Sequence, residues 1–205
     1  MMNPVIEAIN TRRSIRAYDP TPIPREVINT IIEAGNQAPS QGRMVNGEIR
    51  FQPWRFVVVE DPAFKQTLVQ TTLPIWKKFI ENMKETLPEV YEKAMTYYEA
   101  MDEPKDMVFY SAPVILFVIG PASYAVSCAL ACENIMLAAH SLGLGSCYVG
   151  FGSMVKGNAD VVQALELTDN EQIFGPIVLG YPKDIPEARA LDSHESYVDP
   201  KIKWI

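Results

Sequence analysis

From Tyr124 to Leu142 the chain is apolar nearly all round, interrupted only by Ser127, Glu133, Asn134, His140 and Ser141. A helix that is hydrophobic on every face must be buried on every face, so this stretch predicts a central helix on which the domain is organised. Ala125, Cys128, Ala129 and Cys132 recur at helical spacing, with Ala138 and Ala139 later on. Such small residues let a second helix come close. Gly143 is placed to end the helix in the left-handed conformation. Gly145 keeps the following turn tight, and Ser146–Phe151 reads as a short buried strand.

Other apolar runs supply partners for that helix. Pro113–Ile119 (PVILFVI) and Pro176–Tyr181 (PIVLGY) are continuous rather than alternating, which predicts strands covered on both faces. Arg55–Val59 predicts a third strand, opened by Gln52-Pro53-Trp54. Asn3 and Pro4 are the start signals of a first helix ending near Thr11. A second helix runs from Pro24 to about Ala34, with Gly35 as its expected stop. Asp61-Pro62 turns the chain into a helix from about Ala63 to Val69. Residues 73–105 predict a helical excursion of one or two amphipathic helices broken near Pro88. Asp160–Leu165 predicts a short helix. The segment from Arg43 to Arg50 is polar and holds a glycine, which predicts either a mobile lid or rim beside a site or a plain surface loop, rather than core. The whole is expected to form a single domain over residues 1–205, with 182–205 as a tail that docks on a partner, since its Trp204 and Ile205 are costly to leave in water.

Charge and cysteine usage narrow the function. A net charge of −7 argues against nucleic acid as the main partner, because phosphate backbones select a basic face. No apolar run reaches the roughly 20 residues of a membrane span without polar interruption, and no signal peptide is evident, so no membrane partner and a cytoplasmic location are expected. Cys128, Cys132 and Cys147 sit in apolar context. With only His140 and His194 available besides, they predict packing rather than a metal site.

One basic cluster stands out. Arg12-Arg13-Ser14-Ile15-Arg16 places three of the 18 basic residues within five positions. If it runs extended, Arg12, Ser14 and Arg16 share one side and Arg13 and Ile15 the other. Two guanidiniums and a hydroxyl then converge on one spot, suited to a phosphate or an anionic ring. Nucleophile elbows, zinc-protease helices, Walker loops and dinucleotide fingerprints are all absent, and two histidines make poor acid–base machinery. A bound cofactor that carries the reaction would account for this.

Taken in order, Arg12–Arg16 after a first helix, Ala38-Pro39-Ser40, Gln52-Pro53-Trp54 entering a Phe-Val-Val-Val strand, Gly143–Gly150 after an alanine-rich helix and Leu179–Pro182 resemble the nitroreductase family of FMN-dependent oxidoreductases. The likeness covers essentially the whole chain. It implies an α+β fold, a three-layer sandwich with a mostly antiparallel central sheet, assembled as an intertwined homodimer with FMN at the interface. It also implies that Arg12, Arg13, Ser14 and Arg16 hold the FMN phosphate, ribityl chain and pyrimidine edge. Pro39, Ser40 and Gln52 would reach the flavin of the other subunit. Tyr148, Val149, Gly150 and Phe151 would run beside the ring, with the Gly150 N–H near N5, and Arg189 would supply a phosphate contact. No catalytic side chain and no metal ligand is implied. The activity implied is hydride transfer from NAD(P)H to a nitroaromatic or quinone-like acceptor. Alternatives on the same fold are reductive dehalogenation, flavin fragmentation, or a flavin-binding sensor without turnover. The chain departs from the family in that Gln52 follows Ser40 by twelve positions, with 43–50 as an insertion.

Overall fold

The computed structural model describes residues 3–103, 105–186 and 201–205, and only the main chain of Arg43, Val45 and Arg50. Helix α1 (Pro4–Thr11) begins as expected, the Asn3 side chain accepting the Val5 N–H at 2.9 Å. Helix α2 (Arg25–Asn36) follows, then a hairpin of β1 (Arg43–Val45) and β2 (Glu48–Arg50). Strand β3 (Arg55–Val59), helices α3 (Pro62–Glu81) and α4 (Pro88–Ala100), and strand β4 (Val114–Pro121) come next. Helix α5 (Ala125–Ser141), β5 (Gly145–Tyr148), α6 (Ala159–Ala164) and β6 (Glu171–Gly180) complete the order. The larger sheet has the order β3-β4-β6-β5, every pairing antiparallel. This is the α+β architecture expected.

Alternation along β4 divides the core in two. Ile115, Phe117 and Ile119 face a cluster with Leu68, Trp76 and Ile80 of α3. Val114, Leu116 and Val118 face a second cluster, with Ile28 and Ile31 of α2 and Cys128, Cys132 and Ile135 of α5. A strand buried on both faces explains why PVILFVI carries no polar alternation.

Three expectations need correction. Gly35 does not stop α2; it lies inside the helix and is buried. A Cβ there would stand 2.6 Å from Ile135 Cγ1, so the glycine is a contact point between α2 and α5. Helix α3 does not end near Val69 but passes through Pro74 to Glu81. Leu68, Val69, Thr72, Trp76 and Ile80 share one buried face across the proline, and burying them offsets its lost hydrogen bond. The third correction concerns α5, which is not buried all round. Cys128, Ala131, Cys132, Ile135 and Ala139 are buried, whereas Val126 is 76% and Leu130 41% exposed, and Ala125, Ala129 and Glu133 also face outward. The small-residue seam is therefore split: its cysteines and Ala139 pack within this chain, and Ala125 and Ala129 lie on an open stripe. By length and composition Ala122–Ser141 is apolar enough to cross a membrane, but its inner face packs on α2 and the sheet. The cysteines are buried free thiols, and burial pushes Cys128 and Cys132 up to about 11 and about 12.

Beyond the expected start, β6 begins at Glu171, five residues before Pro176. The segment 43–50 is a paired hairpin rather than a loop, with Asn46 and Gly47 both left-handed at φ 53° and 84° in its turn.

Candidate functional site

Segment 12–18 leaves α1 and runs along the free edge of β5. The Ile15 N–H donates to Ser146 O at 2.9 Å, Ser14 pairs with Ser146 in parallel, and Tyr18 pairs with Pro182 in antiparallel. Gly145 makes this approach possible, since a Cβ on it would stand 2.8 Å from the Ile15 side chain. The glycine read from sequence as a turn residue is thus also the seat of the basic segment.

The segment's side chains divide. Arg13 folds back, its Nη1 donating to Asn10 O at 2.9 Å and Arg12 O at 3.0 Å. It lines a cavity of about 110 Å³ with Thr11, His140 and Ser146. Two polar atoms there are buried with no protein partner, Arg13 Nε and Ser146 Oγ, and Ser146 is only 2% exposed. Thr11 Oγ1 lies 2.8 Å from His140 Nε2. Burial, and then the charges of Arg12 and Arg13, lower the His140 pKa and favour its neutral form.

Arg16 is directed elsewhere. Its guanidinium is 5.9 Å from the centre of the Tyr110 ring and donates weakly to Ser14 O at 3.5 Å. Cys147, buried on β5, belongs to the same cluster. Burial raises its thiol, opposed by Arg16, by a hydrogen bond with the Ser14 side chain and by Arg12. Burial works against the charged Arg16, but Cys147 and Tyr110 outweigh it and the guanidinium is raised above its ordinary value. Cys147 is thus the group on β5 that the charges of Arg16 and Arg12 and the Ser14 hydroxyl all influence.

Tyr148, the last residue of β5, is 45% exposed; beyond it Val149 is buried and Gly150 opens a 3-10 helix, Gly150–Gly157. The first N–H groups of a helical turn have no acceptor within it, so Gly150 and Phe151 present donors. Phe151 stands edge-on to Phe79 of α3, ring centres 5.0 Å apart.

Pro39, Ser40 and Gln52 form a separate group. Pro39 and Ser40 border a cavity of about 290 Å³ with Tyr124, Val126, Ser127 and Leu130, at the start of α5. The Gln52 N–H donates to Ser40 Oγ at 3.2 Å. Arg13 and His140 lie at the end of that helix; from Val126 to His140 the axis advances roughly 20 Å, at about 1.5 Å per residue. One chain therefore keeps the two groups apart. Arg189 lies outside the described residues. Sequence reasoning missed Thr11, Tyr110, His140 and Ser146; only Ser146 had a signal, as the residue before Cys147 on a strand carrying small residues.

A family model described as the nitroreductase family matches residues 9–181. An NADPH-flavin oxidoreductase of Vibrio harveyi is 30% identical over 190 residues, which span 92% of this chain and 70% of that one. An FMN reductase [NAD(P)H] of Bacillus subtilis is 26% identical, over 97% of this chain and 76% of its own. Among solved structures, a Bacteroides fragilis nitroreductase with bound FMN superposes with a TM-score of 0.67 at 25% identity, covering 97% of this chain and 100% of its own.

Proposed function

The chain belongs to the nitroreductase family, and from that premise we propose that it is an FMN-dependent NAD(P)H oxidoreductase whose flavin site is completed by a second copy of the chain. The residues present fit the cofactor. The observation that carries the reading is the pair of buried, unpartnered polar atoms, Arg13 Nε and Ser146 Oγ, in a cavity sized for a small anionic group. Leaving such atoms unpaired costs about 1–3 kcal/mol each, so a phosphate that satisfies them binds favourably. FMN bound there would supply hydride-transfer chemistry between a nicotinamide and an electron-poor acceptor such as a nitroaromatic or quinone.

The chain's own residues bind and orient. Arg12, Arg13 and Ser14 hold the phosphate and ribityl chain, with Arg189 as a further phosphate contact. Arg16 supplies positive charge to the pyrimidine edge, where negative charge gathers. Gly150 would offer its N–H toward N5, and Tyr148, Val149 and Phe151 would flank the ring. No side chain is assigned as acid or base, since hydride transfer requires none.

The placement of the two groups supports a second copy. A two-fold dimer with α5 antiparallel to its mate puts Pro39, Ser40 and Gln52 of one chain beside the Arg12–Arg16 segment of the other. The open stripe of Val126, Ala129 and Leu130, with Val5 of α1 62% exposed beside Leu137 and Ala138 at the other end of the helix, supports this arrangement, because self-complementary apolar faces pair across a two-fold axis. The test is the purified protein itself. A yellow flavin spectrum that bleaches on anaerobic addition of NADH or NADPH, and returns with a quinone, is the expected result. Bound flavin that neither nicotinamide reduces would leave a binding module, and no flavin would overturn the reading.

A further inference from the structure

The loop 106–113, between α4 and β4, is held unusually firmly for a surface connection. The Asp106 carboxylate is 5% exposed and accepts three backbone N–H groups, from Val108 at 3.1 Å, Phe109 at 2.7 Å and Ser111 at 2.9 Å. From the other side, Lys65 Nζ of α3 donates to Ala112 O at 3.2 Å and Pro113 O at 2.9 Å. Between these two clamps stand Tyr110 and Ser111, consecutive non-glycine residues in the left-handed region at φ 57° and 52°. A bulky residue adopts that conformation only where its surroundings enforce it. What the clamps fix is the half-buried Tyr110 ring, which lies under the Arg16 guanidinium at 5.9 Å. The contact is mutual: burial raises the Tyr110 phenol and Arg16 opposes the rise, while Tyr110 is among the groups that raise Arg16.

We infer that Tyr110 is a positioning residue, whose ring, preset by Asp106 and Lys65, holds the Arg16 guanidinium where it meets the flavin's pyrimidine edge. The inference rests on the assignment of Arg16 to that edge made above. A long arginine without this platform spreads over many rotamers and applies less charge to any one point. The ring attracts the cation through its face, and the phenol oxygen accepts a hydrogen bond from the guanidinium.

The experiment compares Tyr110→Phe, Tyr110→Leu and Arg16→Ala, each purified, stripped of flavin and titrated with oxidised and with reduced FMN. Tyr110→Leu keeps apolar bulk but removes the aromatic face. It is expected to weaken the reduced form about fivefold to tenfold more than the oxidised form, a tenfold difference being about 30 mV in a two-electron midpoint potential. Tyr110→Phe keeps the face but loses the hydroxyl's hydrogen bond to Arg16, and is expected to shift the potential in the same direction by less than Tyr110→Leu. In the Arg16→Ala background, Tyr110→Leu should produce no further change in potential. Equal weakening of both forms by Tyr110→Leu, or a shift that persists without Arg16, would overturn the inference. Failure of the underlying assignment looks different: Arg16→Ala would then leave both affinities unchanged.

Discussion

The Gln52 N–H reaches the Ser40 hydroxyl at 3.2 Å across twelve positions of sequence. The bond closes the base of the inserted hairpin, so the eight residues Arg43 to Arg50 project outward and leave Pro39, Ser40 and Gln52 side by side. Gln52 holds a left-handed φ of 58°, which the closure has to maintain. An insertion that looks disruptive in the sequence is accommodated as a self-paired excursion.

The first prediction concerns the α2–α5 contact. Gly35→Ala places a methyl 2.6 Å from Ile135 Cγ1 and 2.9 Å from its Cδ1. Overpacking of this kind costs about 1–3 kcal/mol, against a helix-propensity gain of about 1 kcal/mol for alanine. A net loss in urea denaturation is expected. Adding Ile135→Ala should give less than the sum of the two single losses, because the second change makes room for the first.

A second prediction follows from the Arg55–Glu171 pair, which joins β3 to β6 at 2.9 Å while Arg55 also donates to Leu165 O and Glu166 O. The hydrogen bond from Arg55 holds the Glu171 carboxyl below its ordinary pKa, with the Thr168 N–H contributing. A carboxylate whose pKa is lower when folded stabilises the protein above the unfolded pKa, and this contribution disappears as pH falls through the folded pKa. Glu171→Gln should therefore cost about 0.5–1 kcal/mol at pH 7, as for a partly exposed bidentate pair, and close to nothing near pH 3. Urea midpoints of both proteins at the two pH values check it, and parallel losses at both would remove the pair from the acid response.

The arginines of the extended segment make a third. Arg12→Ala or Arg16→Ala should each weaken FMN binding by about 1.5–3 kcal/mol, the range for a lost charge-assisted hydrogen bond. Equilibrium titration of flavin-free protein measures it. Unchanged affinity in both variants would separate the segment from the cofactor.

The fourth uses the open stripe of α5. Ala129 faces outward, so Ala129→Glu should spare the fold of one chain while opposing assembly. Sedimentation is expected to show wild-type dimers and variant monomers at micromolar concentration, the variant having lost its flavin. A complementation experiment probes the shared site directly. Chains carrying Arg12→Ala and Arg16→Ala, mixed with chains carrying Ser40→Glu, should form hybrids in which one of the two sites has both intact halves. Recovery of flavin on mixing two flavin-poor variants is the expected outcome; no recovery from verified hybrids would place each site within a single chain.

Much of this was legible in the sequence for definite physical reasons. PVILFVI announced a strand covered on both faces because both neighbours are apolar, and Asn3-Pro4 marked a helix start through chemistry local to it. The basic segment was visible as charge density, and its separation of Arg13 from Arg16 follows from the period of an extended chain. What sequence reading missed depends on distant partners. Gly35 has the appearance of a helix stop until Ile135 is known to lie against it. Tyr110 carries no local sign of meeting Arg16, since their approach is set by Asp106 and Lys65 on two other elements. The hairpin is a different case: Asn46-Gly47 is a strong turn signal, overlooked because the flanking residues are too mixed in polarity to read as strands.

The last prediction returns to that hairpin. Met44 and Ile49 are cross-strand partners, 66% and 65% exposed, and Phe51 at its base is 58% exposed. A polar mobile loop was the expectation; an apolar face on a paired scaffold is what the chain presents. The base packs tightly, since a Cβ on Gly42 would meet Ile49 and Phe51 at 3.2 Å. If Ser40 and Gln52 meet the flavin of a partner chain as proposed, the hairpin stands at the rim of that site. Met44→Ser with Ile49→Ser keeps the turn and the pairing but removes the apolar face. Burying even half of two such side chains against an aromatic acceptor is worth about 1–2 kcal/mol, so KM for a bulky quinone should rise roughly fivefold to thirtyfold. FMN content and the rate of flavin reduction by the nicotinamide should not change, because neither draws on that face. Steady-state kinetics with a small and a bulky quinone decide it. Equal KM values for wild type and variant with both acceptors would leave the hairpin outside the site, and acceptor choice would then have to be set by α3 and α4.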